Sequence, residues 1–154
     1  MEEIIGFKEL QVGQPVNVKG KLLEDGSFLA LEISVRAYQN GVAMVGEIQK
    51  LDPETGTLRL LNQDFILPND FAVRDAERYD IGFENLKIGS VVKLKGRYSP
   101  VEGFVPDSLK MKETFGFNVD KLIGQIDLID GERRMLKMIG FPVLVNHKTM
   151  IEGF

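Results

Sequence analysis

The chain has 154 residues, room for one ordinary domain or two small ones, and its 44% of apolar residues excludes a disordered tail. It contains no cysteine, which excludes a disulfide framework, a thiolate metal site and a thiol nucleophile. A net charge of -4 is unlike that of a typical binder of nucleic-acid backbones, whose affinity comes from clustered Lys and Arg.

The N-terminus, MEEIIGFKELQ, carries acidic residues where a signal peptide needs basic ones. No stretch of the sequence has the 18 or so consecutive apolar residues of a membrane-spanning helix. We therefore expect a soluble chain with no membrane span. The lack of a signal peptide favours the cytoplasm, but an exported and processed chain would look the same, so the compartment stays open.

Alternating apolar and polar residues predict half-buried strands in the first part of the chain. The alternation runs from Val16 to Leu22 and from Leu29 to Val35. The dipeptides DG at 25–26 and NG at 40–41 are typical of tight turns. This part of the sequence is therefore predicted to form antiparallel strands.

The second part of the chain shows the same alternation at Leu58–Leu60 and at Val92–Tyr98. Pro106-Asp107 breaks the pattern, which predicts a bulge or an edge strand there. One segment is predicted to be helical, PNDFAVRDAERYD at 68–80. Asn69 or Asp70 can cap this helix, and its apolar residues fall on one side.

An internal repeat organises these elements. The stretch IGFKELQVG at 5–13 recurs as IGFENLKIG at 81–89, an offset of 76, and residues 44–67 match 122–145 at an offset of 78. The two halves of the repeated unit occur in the order back, front, back, front. The sequence therefore predicts two equivalent modules, one continuous and one assembled from both chain ends. A piece of a longer tandem array is the alternative.

The order of elements within the continuous module is three strands, a short helix and two strands, which is the order of the OB-fold. We therefore predict an all-β protein of two pseudo-symmetric, OB-like five-stranded barrels, with one short helix in the continuous module. The expected division is a discontinuous barrel of residues 1–42 plus 120–154 and a continuous barrel of residues 43–119.

Two copies of one short core carry a resemblance to a known family. The residues of the two copies are Leu10, Val12, Gly13, Val16, Val18 and Gly20, and Leu86, Lys87, Ile88, Gly89, Val92, Leu94 and Gly96. They resemble the "dLkvGdxVxVxG" core, often in tandem copies, of a bacterial domain family of unknown function. The resemblance implies small β-barrel modules, often in exported proteins. No catalytic residues are established for that family, so none are transferred to this sequence.

No constellation of residues in the sequence points to an enzyme. His147 is the only histidine, and no second or third ligand stands at metal-binding spacing from it. The stretch DPETG at 52–56 lacks the spacing of a calcium loop and is interpreted as a turn. Nucleotide-binding and nucleophile motifs are absent. We expect a non-enzyme with no metal and no cofactor.

One charge pattern indicates a possible binding face. The basic residues of two predicted neighbouring strands point outward: Lys93, Lys95, Arg97, Lys110 and Lys112. Like charges on paired strands repel, so the arrangement costs stability unless a bound anion neutralises the charge. A solvated face, or an edge that lysines protect from aggregation, is the alternative interpretation.

Two functions remain open. The first is a non-catalytic binding or scaffolding module that acts through contacts with a protein partner or with itself. The second is OB-type binding of single-stranded nucleic acid or another polyanion through the basic strands at 93–112. Base stacking would need outward aromatic residues, whereas Tyr98 and Phe104 are expected inward or at the hairpin end.

Overall fold

The computed structural model of the chain confirms the predicted all-β class. It describes residues 3–4, 6–37, 41–68, 71–75, 80–112 and 119–153. The helical content of these residues is limited to two short 3₁₀ helices, Phe7–Glu9 and Phe83–Asn85. The strands in chain order are β1 (Glu3–Ile4), β2 (Pro15–Leu22), β3 (Phe28–Val35), β4 (Val42–Asp52), β5 (Thr57–Leu60), β6 (Gln63–Ile66), β7 (Ala72–Arg74), β8 (Asp80–Ile81), β9 (Val91–Ser99), β10 (Gly103–Met111), β11 (Asp120–Gln125), β12 (Leu128–Asp130), β13 (Met135–Met138), β14 (Phe141–Leu144) and β15 (Met150–Gly153).

The strands form an open sheet and not the two closed barrels that the sequence predicts. The main path of hydrogen-bonded neighbours is β12-β13-β14-β3-β2-β11-β4-β9-β10-β7-β8, and β1, β15, β5 and β6 attach to its sides. Among the described residues β6 pairs only with β5, so no hydrogen-bonded ladder joins it to β10. The residues 126–127 separate β11 from β12, so the path also has a free end there.

Strands from both ends of the chain lie side by side. β2 pairs with β11, and β3 pairs with both β14 and β15. β1 in turn pairs with β15. The first and last segments of the sequence therefore belong to one part of the sheet, which is joined to the rest by the antiparallel pair β4–β11.

The predicted helix at 68–80 is wrong over the residues that the structure describes. Residues 72–74 form β7, which pairs in parallel with β10 and places Val73 opposite Leu109. Val73 is buried while its two neighbours in the strand are exposed, the pattern of a strand with one face on the core. Pairing with a distant strand outweighs the local helical pattern. The proposed caps at 69–70 and residues 76–79 lie outside the described residues.

The bulge predicted at Pro106-Asp107 is present. The register between β9 and β10 shifts between Pro106 and Ser108, which leaves Asp107 as the extra residue. A shift at the matching place, between Lys19 and Gly20, leaves Leu31 as the extra residue of β3, where the sequence pattern had predicted unbroken alternation. Gly20 in β2 therefore lies opposite a bulge in β3, and Gly96 in β9 lies opposite a bulge in β10.

The core is one continuous apolar cluster beneath the sheet. Its central row consists of successive cross-strand partners, each at most 4% exposed: Ile151, Ile33, Val18, Leu122, Met44, Leu94, Leu109 and Val73. In the part of the chain that the structure describes, no helix has the length and apolar character needed to cross a membrane.

Candidate anion-binding face

Basic side chains form a row across the outer face of the sheet. The row consists of successive cross-strand partners, here called the basic row: Lys19 (β2), Lys121 (β11), Val45 (β4), Lys93 (β9), Lys110 (β10) and Arg74 (β7). Because neighbouring strands lie about 4.8 Å apart, these partners succeed one another at that step. Five of its six members are cationic, and only Val45 interrupts the line.

The apolar core determines which way the basic row faces. Each residue of the row is followed or preceded in its strand by a member of the buried central row, such as Leu94 after Lys93 and Leu109 before Lys110. Successive side chains of a strand point to opposite faces, so burying one row turns the other outward. The outward position of the cations is therefore a consequence of the packing of the core.

The positive charges of this face repel one another, and the pKa of Lys93 shows the repulsion. Partial burial lowers the pKa of Lys93 most, and repulsion from Lys95, Lys112, Lys121 and Lys110 lowers this pKa further. These ammonium groups come from three strands and from the residue after β10. Their mutual repulsion disfavours the charged face unless anions surround it.

The pKa of Lys121, the second residue of the basic row, is lowered for the same reasons. Partial burial lowers its pKa, and repulsion from Lys19, Arg36 and Lys112 adds to this, whereas Glu32 raises the pKa. Glu32 is the cross-strand partner of Lys19 and follows it on the next strand. The positive region therefore ends in an acidic residue on the β3 side.

A pocket lies on the basic row at β9, β10 and β7. It has a volume of about 340 Å³, and its polar lining consists of Arg74, Lys93, Lys95, Lys110 and Ser108. Lys95 and Ser108 are cross-strand partners in the row next to the basic row. The pocket therefore brings four cationic side chains and one hydroxyl to one place.

The five residues predicted from the sequence are only partly brought together. Lys93, Lys95 and Lys110 line the pocket, and Lys112 is close enough to lower the pKa of both Lys93 and Lys121. Arg97 lies apart from them. Its side chain is 74% exposed, its Nε lies 3.6 Å from Oδ1 of Asp107, and it lines another cavity.

Sequence reasoning missed Arg74, Lys121 and Lys19 as members of this face. Arg74 was assigned to the predicted helix, whereas Lys121 joins the face only because β11 pairs with β4. The alignment of Ile151 with Val73 could have indicated that residues 72–74 form a strand, since the pattern at 150–153 is compatible with one. No sequence signal specifies the pairing of β4 with β11.

Two other cavities flank the β4–β11 pair at positions related by the sequence offsets. One, of about 460 Å³, is lined by Lys21, Glu47 and Asp120, among others. The other, of about 270 Å³, has Arg97 and Gln125 at the matching places of Lys21 and Glu47. Burial raises the pKa of Asp120, and Glu47 raises it further, against a backbone hydrogen bond from Leu22 that lowers it. Acidic, basic and apolar residues all line these two cavities. Neither cavity therefore has the purely positive charge of the basic row.

The structure was compared with the sequence at the residues considered for metal binding, within the part of the chain that it describes. No three His, Cys, Asp or Glu side chains among them come close enough to hold a metal ion. His147 is exposed in a turn. The stretch at 52–56 is a turn, as interpreted from the sequence, in which Asp52 Oδ1 accepts a hydrogen bond from the backbone N–H of Glu54 at 3.1 Å.

The start of the chain matches a family model. Residues 2–34 match the model of a Domain of unknown function (DUF5666). The match covers the Phe7–Glu9 helix, β2 and nearly all of β3, and it includes the first copy of the core on which the sequence resemblance was based. Searches of curated proteins and of solved structures gave no match. The comparisons therefore support a domain of unknown function at the start of the chain and assign no residue a role.

Proposed function

We propose that this chain is a non-catalytic binding module that holds a polyanion on the basic row. The observation that carries the proposal is the succession of five cations on six neighbouring strands, outward over a continuous apolar core. Such a line of like charge costs stability in the free protein. A bound polyanion would neutralise it and release counterions, which is the main source of affinity for charged polymers.

Several features support an arrangement of two OB-like modules, residues 1–42 plus 120–154 and residues 43–119. Shifting β5 (Thr57–Leu60) and β6 (Gln63–Ile66) by 78 positions gives the bounds of β13 and β14. The path β12-β13-β14-β3-β2-β11 has the neighbour order of an OB-fold if β11 and β12 count as one bent strand. We propose that the basic row crosses from one such module to the other, so that the binding face depends on both.

Nucleic acid is one member of the class of ligands, but the face offers little for bases. Tyr98 and Phe104 are partly buried and pack against the core, and the Phe104 ring meets that of Phe65 at a centroid distance of 5.6 Å. Stacking of bases on aromatic rings is a main source of affinity in single-strand binding. The proposal therefore concerns the charge of the ligand and not its bases.

A scaffold that acts through protein contacts stays a prediction. The exposed apolar side chains that favour it include Val12 and Ile88, which lie in matching turns and are 63% and 68% exposed. Single apolar residues on a surface are common and do not by themselves mark an interface. The basic row is the larger and more coherent feature.

The proposal is tested by fluorescence anisotropy with a labelled oligothymidylate of about 20 nucleotides, longer than one OB-type site. The row variant is Lys93→Gln/Lys110→Gln/Lys121→Gln. The control variant, Lys50→Gln/Lys137→Gln/Lys148→Gln, changes net charge equally at exposed sites elsewhere. We expect the row variant to bind more weakly than the wild type. The slope of its log affinity against log salt should be smaller in magnitude by about 2, the value for three fewer charge contacts to a single strand. Equal effects of the two variants would contradict the proposal.

A further inference from the structure

The basic row is followed on β3 by a carboxylate. Glu32 is the cross-strand partner of Lys19, which is in turn the partner of Lys121. Ile33, the next residue of the strand, is fully buried, so the Glu32 side chain lies on the outer face with the cations. Glu32 is half-buried there, whereas Lys19 is exposed. One negative charge therefore stands beside the two lysines at this end of the row.

The charge of Glu32 reaches beyond its direct partner. Burial lowers the pKa of Lys121 most and three neighbouring cations lower it further, but Glu32 raises it. Lys121 lies on β11, two strands away from Glu32. Opposite charges on neighbouring strands attract. The carboxylate therefore offsets part of the repulsion between the cations of β2 and β11.

The other half of the chain has a hydroxyl at the matching place. An offset of 76 relates Lys19 to Lys95 and Glu32 to Ser108, and Lys95 and Ser108 are likewise cross-strand partners. In each pair the lysine directly precedes the glycine that lies opposite a bulge. The same register is therefore formed with a hydroxyl opposite the lysine, so this hairpin does not require an acid.

We propose that Glu32 is an internal counterion that competes with the polyanion for Lys19 and Lys121 and thereby closes the β3 end of the binding face. The inference rests on the proposed function and adds a residue that limits where the ligand binds. A polyanion on Lys19 would lie beside a like charge, which costs affinity. Beyond Glu32 the next cross-strand partner is Met150 of β15, which carries no charge. The bound polymer therefore extends from Lys121 toward Lys93 and not across β3.

The experiment is fluorescence anisotropy of the intact chain with the labelled oligothymidylate. Glu32→Gln removes the charge and nearly keeps the shape of the side chain. Ser108→Glu does the reverse at the matching place, opposite Lys95. The control is Glu54→Gln, which changes net charge by the same amount at an exposed site in the turn at 52–56. Thermal unfolding of each variant checks that it is folded.

We expect Glu32→Gln to strengthen binding by about 2- to 5-fold, the effect of one charge pair across strands. The slope of log affinity against log salt should grow in magnitude by up to about 0.7, because Lys19 gains a contact to the strand. Ser108→Glu should weaken binding by a similar factor, and Glu54→Gln should change it much less. The free Glu32→Gln protein should be no more stable than the wild type, since it loses an attraction.

A second background tests whether Glu32 acts through its two neighbouring lysines. In Lys19→Gln/Lys121→Gln, the further change Glu32→Gln should no longer strengthen binding, because the cations that it would release are gone. An undiminished gain in this background would show that net charge alone is responsible and would overturn the inference. Equal gains from Glu32→Gln and Glu54→Gln in the otherwise native chain would overturn it too.

Failure of this inference is distinguishable from failure of the proposed function. If the wild type binds oligothymidylate and the row variant binds it more weakly, but Glu32→Gln has no effect, Glu32 does not compete and polyanion binding stands. If neither the wild type nor Glu32→Gln binds oligothymidylate at low salt, both proposals fail.

Discussion

Met44 and Leu122, which are 78 positions apart in the sequence, are direct cross-strand partners at the centre of the antiparallel pair β4–β11. On either side of them Val45 pairs with Lys121 and Ala43 with Ile123, so the pairing is symmetric about this position. Both central side chains are fully buried. The basic row continues from β11 to β4 at this place, because Lys121 and Val45 are the neighbouring pair of cross-strand partners.

Replacing Leu122 by alanine should lower the free energy of unfolding by about 2–5 kcal/mol, the usual cost of removing a buried leucine side chain. The residue lies in the central row of the core and has no exposed surface. Urea denaturation followed by circular dichroism measures the change. Leu128→Ala, at a site that is 45% exposed, is the control and should cost much less. Similar losses for the two variants would contradict the assigned place of Leu122.

Gly96 and Gly20 permit close approach of the backbone opposite each bulge. A Cβ atom at Gly96 would collide with the carbonyl oxygen of Val105, and one at Gly20 with that of Leu29. Alanine at either position should therefore destabilise the fold by about 1–3 kcal/mol or more, since backbone must shift. Gly131→Ala is the control, because open space surrounds that position. The thermal midpoints of the three variants test this, and a neutral Gly96→Ala would count against the bulge geometry.

Lys93→Gln should stabilise the free protein while weakening its binding of polyanions. Lys93 stands directly opposite Lys110, and removing a like-charge pair across strands should contribute about 0.5 kcal/mol. The pKa of Lys93 is lowered in the folded state, so the native protein releases this proton before the unfolded chain does as the pH rises. Wild-type stability then rises with pH through that range.

The stabilising effect of Lys93→Gln should accordingly be full near neutral pH and shrink on the alkaline side, toward the ordinary lysine pKa. Chemical denaturation at neutral and alkaline pH measures it, and anisotropy with labelled oligothymidylate measures the loss of binding. Lys137→Gln serves as the control at an exposed site outside the basic row. A variant that is less stable and binds unchanged would show that Lys93 serves only the fold.

Asp120→Asn should stabilise the protein at neutral pH. Burial raises the pKa of Asp120 in the folded state, so the native protein holds this proton more tightly than the unfolded chain does. Its contribution to stability therefore falls as the pH rises from the ordinary aspartate pKa to the raised one, and stays lost above it. Asparagine keeps an acceptor for the backbone N–H of Leu22 and has no charge to bury. Denaturation at acidic and neutral pH should show an advantage at neutral pH alone; an equal advantage at both would contradict this cause.

The fold class and several local features could be predicted from the sequence because they depend on short-range patterns. Alternation at Val16–Leu22 and Val92–Tyr98 predicted strands that correspond to β2 and β9. Pro106 predicted a bulge because proline cannot serve as a ladder donor. The element at 68–80 was mispredicted because the parallel pairing of Val73 with Leu109 is a long-range contact that the local pattern does not contain.

The candidate site was predictable only where it lies within one hairpin. Lys93 and Lys110 face each other across β9 and β10, so alternation alone placed them together. Arg74 and Lys121 reach the same face through pairings with strands distant in sequence, and Arg97 is held near Asp107 by the bulge. The closure of the sheet was also mispredicted, since it depends on whether β6 meets β10, which side-chain periodicity does not determine.

Binding of a polyanion on the basic row is tested most directly by amide chemical shifts of the isotope-labelled protein during titration with polyphosphate. We expect the largest shifts on the strands of the basic row, around Lys19, Lys121, Lys93, Lys110 and Arg74. Shifts centred on the cavity of Glu47 and Asp120, or on the turns of Val12 and Ile88, would contradict it. So would the absence of any saturable shift at low salt.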